Sequence, residues 1–151
     1  MPGLDELFEA AKAARGRAWA PYSKFPVGAA LRAGSGAIYA GCNVENAALP
    51  LGVCAETAAI TAMILAGDSR IVDIVVSGCG EAPVTPCGAC RQRVHEFADA
   101  ETRVHCGNAR GIVASYSMRE LLPHAFGPDD LAVAAMKTGE KTGEKSGEQQ
   151  P

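Results

Sequence analysis

The sequence predicts an α/β protein, a three-layer α-β-α sandwich around a mixed five-stranded sheet. Helix-period segments alternate with β-branched runs, one pair of short runs flanks a glycine-rich turn, and one helical stretch is apolar nearly all round. Leu4, Leu7, Phe8 and Ala11 fall at helical spacing, so residues 4 to 18 form an amphipathic first helix that ends before Pro21. Val27–Leu31 and Ile38–Cys42 flank Ala33-Gly34-Ser35-Gly36 and pair as a hairpin. After a loop to Val53, residues 55 to 66 carry Ala58, Ala59, Ile60, Ala62, Met63, Ile64 and Leu65, a helix expected to be buried and to stop at Gly67-Asp68. Ile71–Ser77 is a β-branched run suited to a strand covered on both faces. A loop with proline and glycine leads to Pro86 and a helix through Phe97, with Val94 and Phe97 facing inward. Thr102–Cys106 and Ile112–Ser115 are the remaining short strands, and Met118–Leu122 is a brief helical turn. From Lys137 onward a Lys-Thr-Gly-Glu-type repeat without a large apolar side chain cannot bury a core. The domain is therefore placed at residues 1–136 and a disordered polar tail at 137–151.

With 151 residues, 48% apolar and 21% charged, the chain has enough material for one core. A formal charge of −3 provides no broad basic surface for a phosphate backbone, which argues against nucleic acid as a partner. No stretch reaches the ~20 apolar residues that span a bilayer, and the N-terminus has neither a basic region nor a long apolar run. A cytoplasmic protein without a membrane partner is expected. The six cysteines then read as metal ligands or small buried residues rather than as a disulfide framework.

The chemistry is concentrated in two short motifs, Cys54-Ala55-Glu56 and Pro86-Cys87-Gly88-Ala89-Cys90. Taken alone, Cys87-x-x-Cys90 is compatible with a redox dithiol, a zinc half-site or two buried thiols. Cys54 adds a third ligand to the zinc reading, leaving the fourth position for water, as in a catalytic rather than a structural site. Both motifs start predicted helices, where free N–H groups and the dipole favour thiolates. Three thiolates make the site net negative, so positive potential is needed, and Arg91 beside Cys90 is the candidate to donate to the sulfurs. Glu56 is either a first-turn glutamate that complements the dipole or a proton carrier. The apolar sequence after it favours the second role, because a buried carboxylate without a task is costly.

These motifs, with Tyr22-Ser23-Lys24-Phe25-Pro26-Val27-Gly28-Ala29-Ala30 and Gly41-Cys42-Asn43-Val44-Glu45-Asn46-Ala47 before them, resemble those of the short, homotetrameric cytidine deaminases. The resemblance runs from about residue 4 to Leu131, including Glu120-Leu121-Leu122-Pro123 and Phe126-Gly127-Pro128. It implies hydrolytic deamination of free cytidine and deoxycytidine in pyrimidine salvage, with one Zn²⁺ per subunit held by Cys54, Cys87 and Cys90 and Glu56 moving the protons. It also implies that Phe25 lies against the base, that the Ala55 N–H meets the pyrimidine carbonyl, and that Asn43 and Glu45 bind the sugar. Phe126 would match a terminal aromatic that closes the pocket across a subunit interface. Asn43 and Glu45, two residues apart on an extended segment, share one face, a sensible clamp for a diol. The chain departs from many relatives at Thr57, where they carry arginine, and at Leu49, where a tyrosine is often found.

Competing readings are a blasticidin-type aminonucleoside deaminase with the same zinc core, a structural zinc module closed by Cys42 or Cys79, and a redox module cycling Cys87 and Cys90. Cys42, Cys79 and Cys106 are otherwise expected to be small buried residues. His95, His105 and His124 form no pair with useful metal spacing.

Overall fold

Strand alternation decides which residues face which helices. In a computed structural model that describes residues 2–131, α1 (Pro2–Arg15) is followed by the hairpin β1 (Val27–Ala33) and β2 (Ile38–Cys42). A short 3-10 turn (Leu49–Leu51), α2 (Ala55–Leu65), β3 (Ile71–Gly78), α3 (Gly88–His95), β4 (Ala98–Gly107), β5 (Ile112–Ser117) and α4 (Met118–Leu121) complete the order. The sheet runs β2-β1-β3-β4-β5 and is mixed: β3 and β4 are parallel and the other pairs are antiparallel. Ala30 and Val75 point to one face, where they bury Leu7, Phe8 and Ala11 of α1. Ala29, Leu31, Ile74, Val76, Val104 and Cys106 point to the other, against Ala59, Ile60 and Met63 of α2 and Val94 of α3. The expected three-layer sandwich is thus formed, with a separate apolar cluster on each side of the sheet.

Four details differ from the sequence expectations. Helix α1 stops at Arg15, because Gly16 is a poor helix former and residues 16–18 close with tighter turns, Arg17 N–H to the Ala14 carbonyl and Ala18 N–H to the Arg15 carbonyl. Helix α2 is not buried all round. A sheet covers one side of a helix, and Ile64 and Leu65 remain 44% and 88% exposed. Strand β4 starts four residues early, at Ala98, and a bulge carries the register from Ile71–Ala98 to Asp73–Arg103. The Thr102 hydroxyl stabilises that bulge, accepting from the Asp99 N–H at 3.0 Å and donating to the Ile71 carbonyl at 3.4 Å. Cys79 is exposed, one residue past the end of β3, whereas Cys106 is buried as expected and Cys42 is half-buried. The polar repeat from Lys137 lies outside the described residues.

The site depends on how closely α2 approaches β2. A Cβ at Gly41 would stand 2.4 Å from the Ala59 nitrogen and 2.7 Å from the Ala55 carbonyl oxygen, so only glycine permits this seam. The contact sets the N-terminus of α2, and with it Cys54 and Glu56, at the end of the sheet where β3 and β4 terminate.

Candidate metal centre

Cys54 and Cys87 occupy the same local position on two different helices. Each is an N-cap with extended backbone (φ −76°, ψ 154° and φ −66°, ψ 167°), and neither side chain makes a capping hydrogen bond. Their sulfurs are therefore free to turn away from their own helices. Cys90, in the first turn of α3, is fully buried. The ligand atoms of Cys54, Cys87 and Cys90 all lie within 4.8 Å of one another. Tetrahedral zinc–thiolate bonds of about 2.3 Å separate sulfurs by roughly 3.8 Å, so three thiolates inside that limit fit a single zinc ion. Among the described residues neither Cys42 nor Cys79 joins the cluster, which removes the four-cysteine structural site.

Electrostatics in the cluster follow from burial and from Glu56. Burial pushes the Cys90 thiol well above its ordinary value, and the Glu56 charge and hydrogen bond push it further. Cys54 is raised by burial as well, with a hydrogen bond from Cys90 opposing. At Cys87 burial also acts upward, but the Cys90 N–H and the Cys90 and Cys54 thiols outweigh it, and its pKa is lowered. A cation at the cluster would stabilise all three thiolates and relieve the like-charge contact with Glu56. Glu56 itself is 4% exposed and, with Ala55, opens onto a cavity of about 160 Å³ lined also by Val27, Asn43, Val84 and Thr85. A buried carboxylate beside a three-cysteine cluster, at the wall of a cleft, is placed to exchange a proton with a molecule in that cleft.

Arg91 does not donate to a sulfur as the sequence reading expected. Its Nε bonds the Pro86 carbonyl at 2.9 Å and its Nη1 the Leu121 carbonyl at 2.9 Å, so it fixes the approach to Cys87 and the end of α4. Its charge is still felt nearby, where it partly offsets the burial that lifts Cys106 to about 11.

Asn43 and Glu45 face the same way, and both engage the Tyr22–Val27 segment. Asn43 Oδ1 accepts from the Val27 N–H at 2.8 Å, and its Nδ2 donates to the Phe25 carbonyl at 3.0 Å. Glu45 accepts from the Ser23 hydroxyl, from the Tyr22 N–H at 2.9 Å and from the Ser23 N–H at 3.2 Å. The Ser23 hydroxyl is the main reason its carboxyl lies below the usual range, with the two N–H bonds adding. Phe25 is 42% exposed and stands beside Gly78 at the cleft edge. Phe126 is not a core residue: it is 58% exposed, and its carbonyl is held by Gln92 of α3 at 2.9 Å, away from the residues that line the cleft. Val27, Val84 and Thr85 are cleft residues that sequence reasoning missed. The adjacency of Thr85 to Pro86-Cys87 and the place of Val27 two residues after Phe25 were the available signals, and Val84 had none.

Comparison with known proteins points the same way. The family described as the cytidine and deoxycytidylate deaminase zinc-binding region matches residues 1–106. A cytidine deaminase of Sporosarcina psychrophila is 42% identical over 132 residues, covering 87% of this chain and 97% of the relative. The crystal structure of a Burkholderia pseudomallei cytidine deaminase superposes with a TM-score of 0.77 at 45% identity, covering 81% of this chain and 98% of that one. That of Mycobacterium tuberculosis gives 0.73 at 34% identity, covering 82% and 96%.

Proposed function

Because the chain belongs to the cytidine and deoxycytidylate deaminase zinc-binding family, we propose that its cleft takes free cytidine and deoxycytidine, with Glu56 as proton carrier and Cys54, Cys87 and Cys90 as the ligands of one zinc. The enzyme is a hydrolase that deaminates cytidine. The observation that carries the residue assignment is the buried Glu56 carboxylate beside a three-cysteine cluster at the wall of a small cleft. Zinc, when bound there, supplies a water acidic enough to act as a nucleophile near neutral pH.

The chain's own residues do the rest. Glu56 takes the proton of the attacking water and delivers it to N3 of the pyrimidine as C4 becomes tetrahedral. It then takes the proton of the new C4 hydroxyl and passes it to the amino group, which leaves as ammonia as the C4–N bond breaks and the C4 carbonyl forms. Burial keeps that proton from leaking to solvent. The Ala55 N–H, at the first position of α2 and so without an intrahelical acceptor, binds the pyrimidine carbonyl. Phe25 lies against the base. Asn43 and Glu45, which already fix the Phe25 segment, bind the sugar with their remaining acceptor capacity.

A homotetramer is the proposed assembly. Trp19, Leu49, Leu51 and Leu65 are large apolar side chains left 61%, 75%, 67% and 88% exposed, and contacts between copies would cover such side chains. Phe126, exposed and not among the residues lining its own cleft, is the proposed contribution to a neighbour's. No helix of the described residues is long and apolar enough to cross a membrane. Six free cysteines suit a reducing compartment, consistent with pyrimidine salvage in the cytoplasm.

The test is Glu56→Gln, assayed by ultraviolet absorbance with cytidine, deoxycytidine, cytosine and blasticidin S beside the wild type. Retained zinc and a kcat loss of about 10²–10⁴-fold are expected. Unchanged deamination refutes the role of Glu56, and turnover of blasticidin S in preference to cytidine refutes the substrate assignment.

A further inference from the structure

The last residue of α1 reaches the far end of the sheet. One guanidinium nitrogen of Arg15, Nη1, bonds the Ser77 hydroxyl at 3.0 Å, the Gly78 carbonyl, and the Asn108 carbonyl at 3.3 Å. Ser77 and Gly78 end β3, and Asn108 follows the end of β4. Ser77, itself fully buried, also donates to the Asn108 carbonyl at 3.4 Å. The backbone of Arg15 is equally constrained, since a Cβ on Gly28 would stand 2.4 Å from the Arg15 nitrogen and 2.0 Å from the Ala11 carbonyl oxygen. Gly28 pairs with Ser77 across the sheet. The arginine is therefore seated on β1 and fastened to β3 and to the chain just beyond β4.

Those strand ends carry one wall of the cleft. A Cβ on Gly78 would meet Val84 Cγ2 at 2.2 Å and Phe25 Cζ at 3.9 Å, so Gly78 holds its carbonyl toward Arg15 while its Cα supports Val84 and the Phe25 ring. The 79–86 loop hangs from the same place: the Val84 N–H bonds the Gly107 carbonyl, the Ala109 N–H the Gly80 carbonyl, and Asn108 Nδ2 the Glu81 carbonyl. Open α/β sheets bind ligands outside the carboxyl ends of their strands, and here a single cation spans a parallel pair of such ends.

We propose that Arg15 is a positioning residue for the deamination reaction, a clamp across the ends of β3 and β4 that sets the Val84–Thr85 wall and the Phe25 edge of the cleft. This rests on the functional reading above. Without the guanidinium, the Gly78 and Asn108 carbonyls lose their charged donor, the two strand ends relax apart and the wall moves. Contacts with the base are made in both ground and transition states, so the loss falls on KM.

The test is Arg15→Met and Arg15→Lys in the zinc-loaded enzyme, with KM and kcat for cytidine, zinc per chain and the unfolding temperature all measured. Arg15→Met is expected to raise KM about tenfold, with kcat changed less than about threefold and zinc retained, and Arg15→Lys to recover most of the KM. A wild-type KM in Arg15→Met, with only a lower unfolding temperature, overturns the proposal, as does a kcat loss that tracks zinc loss. If Arg15→Met does not fold, Arg15→Gln, which keeps a polar side chain but removes the charged donor, decides: a KM raised severalfold in folded enzyme supports the clamp, and a wild-type KM overturns it. A wild-type chain that leaves cytidine untouched instead refutes the functional reading, and this inference with it.

Discussion

Gly41→Ala adds one methyl group at the seam between β2 and α2. The new Cβ stands 2.4 Å from the Ala59 nitrogen, 2.6 Å from Ala58 Cβ and 2.7 Å from the Ala55 carbonyl oxygen. Two of those atoms are backbone, so no rotamer relieves the clash, and reaching ordinary contact requires α2 to lift by about 1 Å. Overpacking of this kind costs about 1–3 kcal/mol, a fall of roughly 3–10 °C in Tm for a chain of this size. The displacement lands on the first turn of α2, which carries Ala55 and Glu56 and is capped by Cys54. A 1 Å error in a catalytic group costs about 10²-fold, so kcat/KM for cytidine should fall by that order even where the protein remains folded. Steady-state ultraviolet assays, thermal unfolding and zinc analysis on one preparation check this. A Gly41→Ala enzyme with wild-type kcat/KM refutes the claim that this seam positions the catalytic helix, whatever its Tm.

Chelation should remove one zinc per chain and abolish deamination, with activity restored by added zinc. The unfolding midpoint should fall on metal removal, because the metal links the starts of α2 and α3. Full activity in zinc-free protein is the contrary result. His105, buried on the α1 side of the sheet with Nδ1 2.7 Å from the Ser115 hydroxyl, has its pKa lowered chiefly by burial; Asp73 opposes the shift and Arg103 adds to it. As pH falls below 6.5 the unfolded chain takes up a proton that the folded chain refuses until its own lower pKa is reached. Stability contributed at this site is therefore present above 6.5, falls across that window and levels off beneath it. Denaturant midpoints measured from about pH 7.5 to 5 should slope less in His105→Gln than in wild type, and equal slopes would contradict the assignment.

The sequence by itself determined the elements and their order, because local periodicity carries that information: Leu4, Leu7, Phe8 and Ala11 mark one helix face, and the β-branched run from Ile71 marks a central strand. It also picked out the three cysteines that the fold gathers into one cluster, since a Cys-Ala-Glu beside a helix start and a Cys-x-x-Cys at another are short-range patterns. Cavity walls were not legible there. Val27, Val84 and Thr85 meet around the cleft only because β1 pairs with β3 and the 79–86 loop folds back on the turn after β4, contacts between residues far apart in the chain. Tertiary structure likewise decided where donors with several options spend them. Arg91, placed beside a ligand, satisfies two carbonyls instead of a sulfur, because buried backbone acceptors without a donor are costly. Arg15, which no motif singles out, acquires its three partners only when α1 crosses the sheet. Side-chain type and spacing state what chemistry a chain can do; which groups are free to do it is settled by long-range packing, whose pairings no local pattern encodes.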